Sequence, residues 1–208
     1  MHKNRFLNLL YTFACFALVG AALLLIAFSP RPFKRVAHSP RGVATADIKV
    51  LGRSNLFKWS MEDKTVSCSA RFTYKAGKTI PGSLASFAFS MPVHDLTSGK
   101  SGMDAKAYDA LKAKDGGTIA FTATGSTITQ GEGDSFQVKS DGNLTIAGVT
   151  RPVVLMAACE VKADGMVSCT GTEVLKMSDY HIRPPTYMLG ALRTVNRLTI
   201  AFSMEVMK

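Results

Sequence analysis

The chain has 208 residues, of which 47% are hydrophobic, and a net charge of +10. This length allows one domain with an appendage. Residues 1–46 hold six Lys/Arg and no Asp/Glu, whereas residues 47–208 hold 19 Lys/Arg against 15 Asp/Glu. Because the basic excess lies mostly in the N-terminal part, without a basic stripe interleaved with aromatics, nucleic-acid binding is a poor interpretation.

The first predicted element is an apolar segment near the N-terminus. Residues 6–28 form a 23-residue run without a charged side chain, and about 20 apolar residues span a bilayer as a helix. Lys3 and Arg5 precede the run, as in an export signal. We therefore predict a transmembrane helix within residues 1–28, either retained as a signal anchor or removed as a signal peptide.

A linker and then a single domain are expected to follow. Residues 29–46 contain Pro30, Pro32, Pro40 and Gly42 among basic and small residues, a composition typical of a linker. The domain is expected to cover residues 47–208. The positive-inside rule alone would keep that domain in the cytoplasm, although long domains are translocated despite flanking charges.

The domain shows the alternation of apolar and polar residues that is typical of half-buried strands. Several such runs separated by turns favour an antiparallel barrel or sandwich. The predicted strands are residues 65–74, 86–91, 118–122, 153–161 and 198–206.

One helix interrupts these strands. Met103, Ala107, Ala110 and Leu111 recur at helical spacing. Ser101 is expected to cap the start of the helix, and residues 116–117, both glycine, are expected to end it.

Residues 142–155 predict a strand, a tight turn and the start of the next strand. Leu144 and Ile146 alternate with polar residues, and Gly148 supplies backbone freedom at the turn. Pro152 cannot donate to a ladder, so we expect it at the first residue of the second strand.

The pattern of residues 142–155, G-x-LTI-x-GVT-x-P, resembles the signature of YceI-like proteins. The resemblance implies a lipocalin-like antiparallel β-barrel with one inserted short helix. It also implies non-catalytic binding or transport of a polyisoprenoid or other long amphiphilic lipid in the bacterial envelope. Other segments that carry the resemblance are residues 50–60, 96–104, 118–121 and 176–200.

The same resemblance favours export of the domain. It implies a periplasmic domain anchored in the inner membrane, or a secreted one if the N-terminal segment is cleaved. Phe57 departs from the family, since a histidine is common at that position. Neither cofactor nor metal is expected, and the sequence leaves the oligomeric state open.

Lumen-facing residues are the candidate ligand contacts, because alternate residues of every barrel strand face the interior. Methionine suits such a lining, since its thioether adapts to irregular shapes. The same residues would also serve as a filled core in a purely structural domain, so that alternative stays open. The predicted lining residues are Phe72, Phe87, Phe89, Met91, Ile119, Phe121, Leu144, Ile146, Leu155, Phe202 and Met204.

Three arginines are candidates for the ligand headgroup. Arg151, Arg183 and Arg193 lie in predicted turns or strand ends. A guanidinium fork suits a phosphate, as a polyprenyl phosphate would require. Each of them, taken alone, is more often an ordinary solvated surface residue.

Cys159 and Cys169 are candidates for a disulfide. They flank a predicted hairpin whose three-residue loop, residues 163–165, would place the two cysteines opposite each other. Directly opposed strand residues approach closely enough for a bridge at non-hydrogen-bonded positions. Two buried thiols, or a pairing that involves Cys68, are the alternatives.

An enzyme acting on a hydrophobic substrate is the rival function. It would use His94, which precedes Asp95, or His181, which lies beside Asp179. The other interpretation is a loop histidine in each case. The sequence contains no C-x-x-C pair and none of the common hydrolase, phosphate-loop or zinc-protease motifs.

Overall fold

The computed structural model describes residues 43–207. Over this range the chain forms ten strands and one α-helix. Their bounds are β1 Val43–Arg53, β2 Lys58–Thr73, β3 Ser83–Pro92, α1 Ser101–Ala110, β4 Thr118–Gln130, β5 Ser135–Ile146, β6 Val149–Val161, β7 Val167–Lys176, β8 Thr186–Tyr187, β9 Leu192–Arg193 and β10 Arg197–Val206.

Eight of the strands close into a barrel, in the order β1-β10-β7-β6-β5-β4-β3-β2. Closure occurs at β1, where Ala46 is paired with Met204 of β10 on one side and with Val66 of β2 on the other. All neighbouring strands are antiparallel, and a closed sheet has no exposed edges. The prediction of an all-β antiparallel barrel with one inserted helix is confirmed.

The predicted N-terminal helix lies outside the described residues, as does the linker up to residue 42. Within residues 43–207, every helix is too short or too polar to cross a bilayer. Strand β1 begins at Val43, so it includes the last part of the range interpreted as linker.

Helix α1 differs from its prediction at both ends. Ser101 is the first helical residue rather than the cap, and Lys100 occupies the N-cap position without a side-chain hydrogen bond. The helix ends before Lys112, which has a φ of +57°, rather than at residues 116–117. The loop before the helix is held instead by the buried carboxylate of Asp104, which accepts a hydrogen bond from the Ser98 backbone N–H at 2.8 Å.

The turn between β5 and β6 consists of two residues. Ala147 and Gly148 both have positive φ, and Ile146 is paired with Val149 around them. Pro152 is therefore the fourth residue of β6 rather than the first. It is accommodated because pairing of β6 with β7 begins only at Ala157, which leaves the proline outside that ladder.

Candidate functional site

The barrel interior is built by the inward-facing residues of neighbouring strands. Two glycines create room there for aromatic rings. A Cβ atom at Gly142 would collide with the ring of Phe121, and one at Gly171 would collide with the ring of Phe202. Both rings therefore occupy space that any larger residue at the glycine position would fill.

Three contiguous cavities run along the barrel. The outer cavity has a volume of about 460 Å³, the middle one about 90 Å³ and the inner one about 20 Å³. Val50, Ile119 and Ile200 line both the outer and the middle cavity. Phe87 and Phe202 line both the middle and the inner cavity. Together the three cavities form one slot that narrows from the mouth inward.

Most of the predicted lining residues lie along this slot. The middle cavity is lined by Phe87, Phe89, Met91, Ile119, Leu144, Ile146, Leu155, Phe202 and Met204. Phe72 lines the inner cavity and packs edge-on against Phe136, with ring centroids 5.9 Å apart. Their contact with a ligand stays a prediction.

Phe121 is not among the residues that line the three cavities. It is 1% exposed and stacks with Phe89 at a centroid distance of 5.9 Å. It also contacts Phe87 at 5.6 Å. Phe121 thus packs in an aromatic cluster with Phe87 and Phe89, two of the rings that line the middle cavity.

The outer cavity carries positive charge at its mouth. Lys58, Lys100, Lys106 and Lys176 line it, and no Asp or Glu is among its described lining residues. The four lysine side chains are solvent-exposed, so they can move toward an anion at the mouth. Long lysine side chains also place their stems on apolar surface while the ammonium group stays in water.

Two tyrosine hydroxyl groups at the same cavity have no hydrogen-bond partner within residues 43–207. Tyr180 and Tyr187 line the outer cavity, and the hydroxyl oxygen of each is buried without a hydrogen bond to any described residue. Burial raises the pKa of Tyr180, and the charges of Asp179 and Glu173 raise it further. The hydroxyl is therefore a neutral donor at physiological pH. A buried polar group without a partner costs free energy, and a ligand headgroup would remove that cost.

The three predicted headgroup arginines do not line this cavity. The Nε–H group of Arg151 donates to the carbonyl oxygen of Asp179 at 2.9 Å, and that of Arg193 donates to the carbonyl oxygen of Gly190 at 2.9 Å. Arg183 is exposed. The sequence places these arginines near turns, but only the closed barrel determines which turns lie at the mouth.

The lysines and tyrosines of the mouth were not singled out from the sequence. Lys100 and Lys106 belong to the helical insertion, and Lys176 and Tyr180 to the C-terminal segment that resembles the family. These segments are distant in sequence and meet only in the folded barrel. Apart from Lys106, they lie in segments that resemble the family, and this is the one sequence feature that pointed toward them.

The cysteine pair is bridged. Cys159 and Cys169 form a disulfide between β6 and β7, and they are directly paired in the sheet. The Lys162 N–H donates to the Met166 carbonyl at 2.8 Å around the three-residue loop. Cys68 remains a thiol, and burial raises its pKa to about 11.

The histidines of the enzyme alternative do not line the slot. His94 is exposed, and its ring contacts that of Tyr108 at a centroid distance of 4.7 Å. His181 is exposed at the end of a short 3₁₀ turn. Neither lines any of the three cavities. Across residues 43–207, no group of three or more His, Cys, Asp or Glu side chains is arranged to hold a metal ion.

These features define a closed antiparallel barrel with a narrowing apolar slot and a basic mouth. Small barrels either fill their interior or hold one elongated ligand, and the outer cavity lies within the roughly 300–1,000 Å³ range of small-molecule sites. The model of the YceI-like domain matches residues 44–206. The chain therefore belongs to the YceI-like domain family.

Solved structures agree with this assignment at the level of the fold. BcnA from Burkholderia cenocepacia is 15% identical, with a TM-score of 0.61 over 77% of this chain and 95% of that one. A polyisoprenoid binding domain from Saccharophagus degradans, implicated in plant cell wall breakdown, is 9% identical. Its TM-score is 0.60 over 80% of this chain and 99% of that domain. No curated protein sequence matches the chain.

Proposed function

We propose that this protein binds a long amphiphilic lipid of the isoprenoid type in its barrel without transforming it chemically. The observation that carries the proposal is the continuity of the apolar slot with the wider cavity at the mouth. Each methylene group buried there contributes about 0.8 kcal/mol before ordering costs. The isoprenoid class is supported by the Saccharophagus degradans domain, which is described as polyisoprenoid binding.

The narrow middle cavity must widen to admit a hydrocarbon chain. Its volume of about 90 Å³ accommodates only a short apolar segment. Met91 and Met204 line it, and their flexible thioether side chains can change rotamer at little cost. The chain would enter from the mouth and displace these side chains on its way inward.

An anionic headgroup, such as a phosphate or carboxylate, fits the mouth. The lysines of the outer cavity supply positive charge with no carboxylate among the described lining residues. The hydroxyl groups of Tyr180 and Tyr187 supply two buried donors. Hydrogen bonds that involve an ionised acceptor are shorter and stronger than neutral ones, so this set of donors favours an anion over a neutral head.

The proposal also includes the cellular location of the protein, which is the bacterial envelope. A carrier of membrane lipids in the bacterial envelope would need export of the domain, and the predicted N-terminal segment would tether it or be removed. The Cys159–Cys169 disulfide supports an oxidising compartment, because disulfides persist there and are rare in the cytosol.

Mass spectrometry of organic extracts tests the proposal. The full chain, purified from a bacterial host, should release a lipid with an isoprenoid-type chain. Ala46 is 8% exposed and lines the middle cavity, so Ala46→Phe should block the slot and abolish co-purification. Ala158 is exposed on β6, so Ala158→Phe is the matched control. Extracts without lipid, together with no binding of added polyprenyl phosphate, would overturn the proposal.

The charge at the mouth has its own test. Trp59, the single tryptophan of the chain, lines the outer cavity, and its fluorescence can follow titration with a polyprenyl phosphate. The double variant Lys100→Gln/Lys106→Gln should bind about tenfold more weakly or worse, since tenfold corresponds to about 1.4 kcal/mol. Lys75→Gln/Lys78→Gln, in the loop between β2 and β3, should bind like wild type. Equal affinities of all three proteins would exclude an electrostatic role for the mouth lysines.

A further inference from the structure

Two loops at the mouth of the barrel present large apolar side chains to solvent. Leu56 and Phe57, between β1 and β2, are 68% and 64% exposed. Met188 is 78% exposed and Leu189 is fully exposed in the loop between β8 and β9. Single exposed apolar residues are ordinary, but grouped ones mark contact surfaces. We refer to these two loops, residues 54–58 and 187–192, as the rim.

Met188 and Leu189 are unusual residue types for the backbone conformation that they adopt. Their φ angles are +50° and +54°, the left-handed region that glycine and asparagine enter most readily. Placing an ordinary side chain there costs about 1–2 kcal/mol per residue. Because both side chains are exposed, packing within the barrel does not offset that cost. This combination of backbone strain and exposure favours a contact outside the fold.

Hydrogen bonds join the two loops into one surface. The Asn55 side-chain amide donates to the Ala191 carbonyl at 2.9 Å, and its oxygen accepts from the Arg193 N–H at 2.9 Å. The Asn55 N–H also donates to the Arg193 carbonyl at 3.0 Å. Phe57 and Leu192 line the same outer cavity. The apolar tips thus lie on one structure at the entrance of the slot.

The charged residues in the two chain segments that carry the rim all have the same sign. Residues 51–60 and 180–198 contain five Lys/Arg and no Asp/Glu. Lys100 and Lys106 of the helical insertion add positive charge at the same cavity. Basic residues near an anionic leaflet contribute about 1 kcal/mol each, and apolar side chains between them insert into the headgroup region. A hydrophobic protein groove would match the apolar tips but would give this charge no counterpart.

We propose that the rim docks onto the surface of an anionic lipid bilayer. Leu56, Phe57, Met188 and Leu189 enter the interface, and the surrounding lysines and arginines contact anionic headgroups. This contact is separate from the predicted N-terminal membrane segment. It places the mouth of the slot directly against the lipid, so a hydrophobic chain can pass between bilayer and barrel without crossing water.

Hydrogen–deuterium exchange of the full chain on vesicles tests the docking. The readout is local, so tethering through the N-terminal segment does not obscure it. With phosphatidylglycerol vesicles, amide exchange in residues 54–58 and 187–192 should slow several-fold, and with phosphatidylcholine vesicles it should slow much less. Residues 151–157 of the barrel wall should exchange equally with and without vesicles.

The double variant Met188→Asn/Leu189→Asn should lose this protection. Asparagine tolerates the left-handed region better than methionine or leucine, so the variant should fold at least as well as wild type. Val154→Thr/Met156→Thr removes exposed apolar side chains from β6 and should leave the protection intact. Co-purified lipid, measured in parallel, reports slot binding independently of docking.

Two results would overturn docking. One is unchanged exchange at the rim on anionic vesicles. The other is protection that the asparagine variant retains in full. If a protein partner instead covers the rim, vesicles of either composition should leave its exchange unaltered.

Discussion

Glu173 is an acidic residue in a mostly apolar part of the slot. It lies on β7, pairs with Ile200 of β10 and lines the middle cavity. Burial raises the pKa of its carboxyl group above the ordinary value of 4.5, and a hydrogen bond from the Val174 backbone partly offsets this effect. The folded chain therefore binds this proton more tightly than the unfolded chain does.

The raised pKa predicts a pH-dependent loss of stability. Because the folded-state value is higher, the free energy of unfolding falls as pH rises through the window that begins near 4.5. Glu173→Gln should remove this fall, so the variant should melt at a higher temperature than wild type at pH 7 and at the same temperature at pH 4. Circular dichroism melting curves at the two pH values measure the difference.

Glu205→Gln serves as the control for Glu173. Glu205 is exposed on β10, so its replacement should leave the difference between pH 4 and pH 7 as in wild type. A Glu173→Gln variant that is less stable than wild type at pH 7 would show that the carboxylate has a stabilising partner in the lumen.

The β6–β7 hairpin shows how one element stabilises the barrel. Its disulfide closes a short loop, with a sequence separation of ten residues between the cysteines. In the chain-entropy description, such a loop restricts the unfolded chain and contributes about 2–3 kcal/mol. Both cysteines are almost fully buried, so their side chains also pack in the core.

We predict that removal of the Cys159–Cys169 disulfide causes a measurable loss of stability. Cys159→Ala/Cys169→Ala should lower the free energy of unfolding by about 2–3 kcal/mol, as measured by urea denaturation under non-reducing conditions. Adding a reductant should destabilise wild type but not this variant. Cys68→Ala changes a cysteine outside the bridge and should keep the sensitivity to reductant. Indifference of wild type to reductant would contradict a stabilising role of the bridge.

At the scale of the whole molecule, the proposed binding of a lipid in the slot would be linked to barrel stability. A ligand that binds only the folded state stabilises it by about 2.7 kcal/mol at a free concentration one hundred times its Kd. For a chain of this length, 1 kcal/mol corresponds to about 2–4 °C in Tm. Under the proposed function, the empty barrel would thus be less stable than the loaded one.

Delipidation should therefore lower the Tm by about 5–10 °C, and adding a polyprenyl phosphate should restore it. Differential scanning calorimetry before and after organic or hydrophobic-resin extraction makes the comparison. Ala46→Phe should show neither shift, because its slot is blocked. Identical melting of extracted and reloaded wild type would argue for a core that holds no ligand.

The sequence predicted the barrel fold better than the residues at the mouth of the slot. The alternating apolar residues of β6 and β10 indicated strands, and the hairpin around residues 163–165 indicated which cysteines face each other. The prediction that Ser101 caps the start of α1 was wrong. The loop before the helix is held instead by the carboxylate of Asp104, which lies within the helix, and the presence of Ser101 in the sequence does not reveal this contact. The sequence indicated that the three headgroup arginines lie at turns or strand ends, but it could not indicate which turns surround the mouth.

Local pattern and family resemblance were enough for the antiparallel barrel, because side-chain alternation and turn residues act over a few positions. Lys58, Lys100, Lys176 and Tyr180 come together only through closure of β1 onto β10 and packing of α1 at the mouth. The pairing of Asn55 with Ala191 likewise joins loops 136 residues apart. Only the tertiary structure decided that the slot opens at a rim of exposed apolar side chains surrounded by basic residues. Closure of the sheet places residues that are distant in sequence side by side, and no local periodicity of the sequence encodes that proximity.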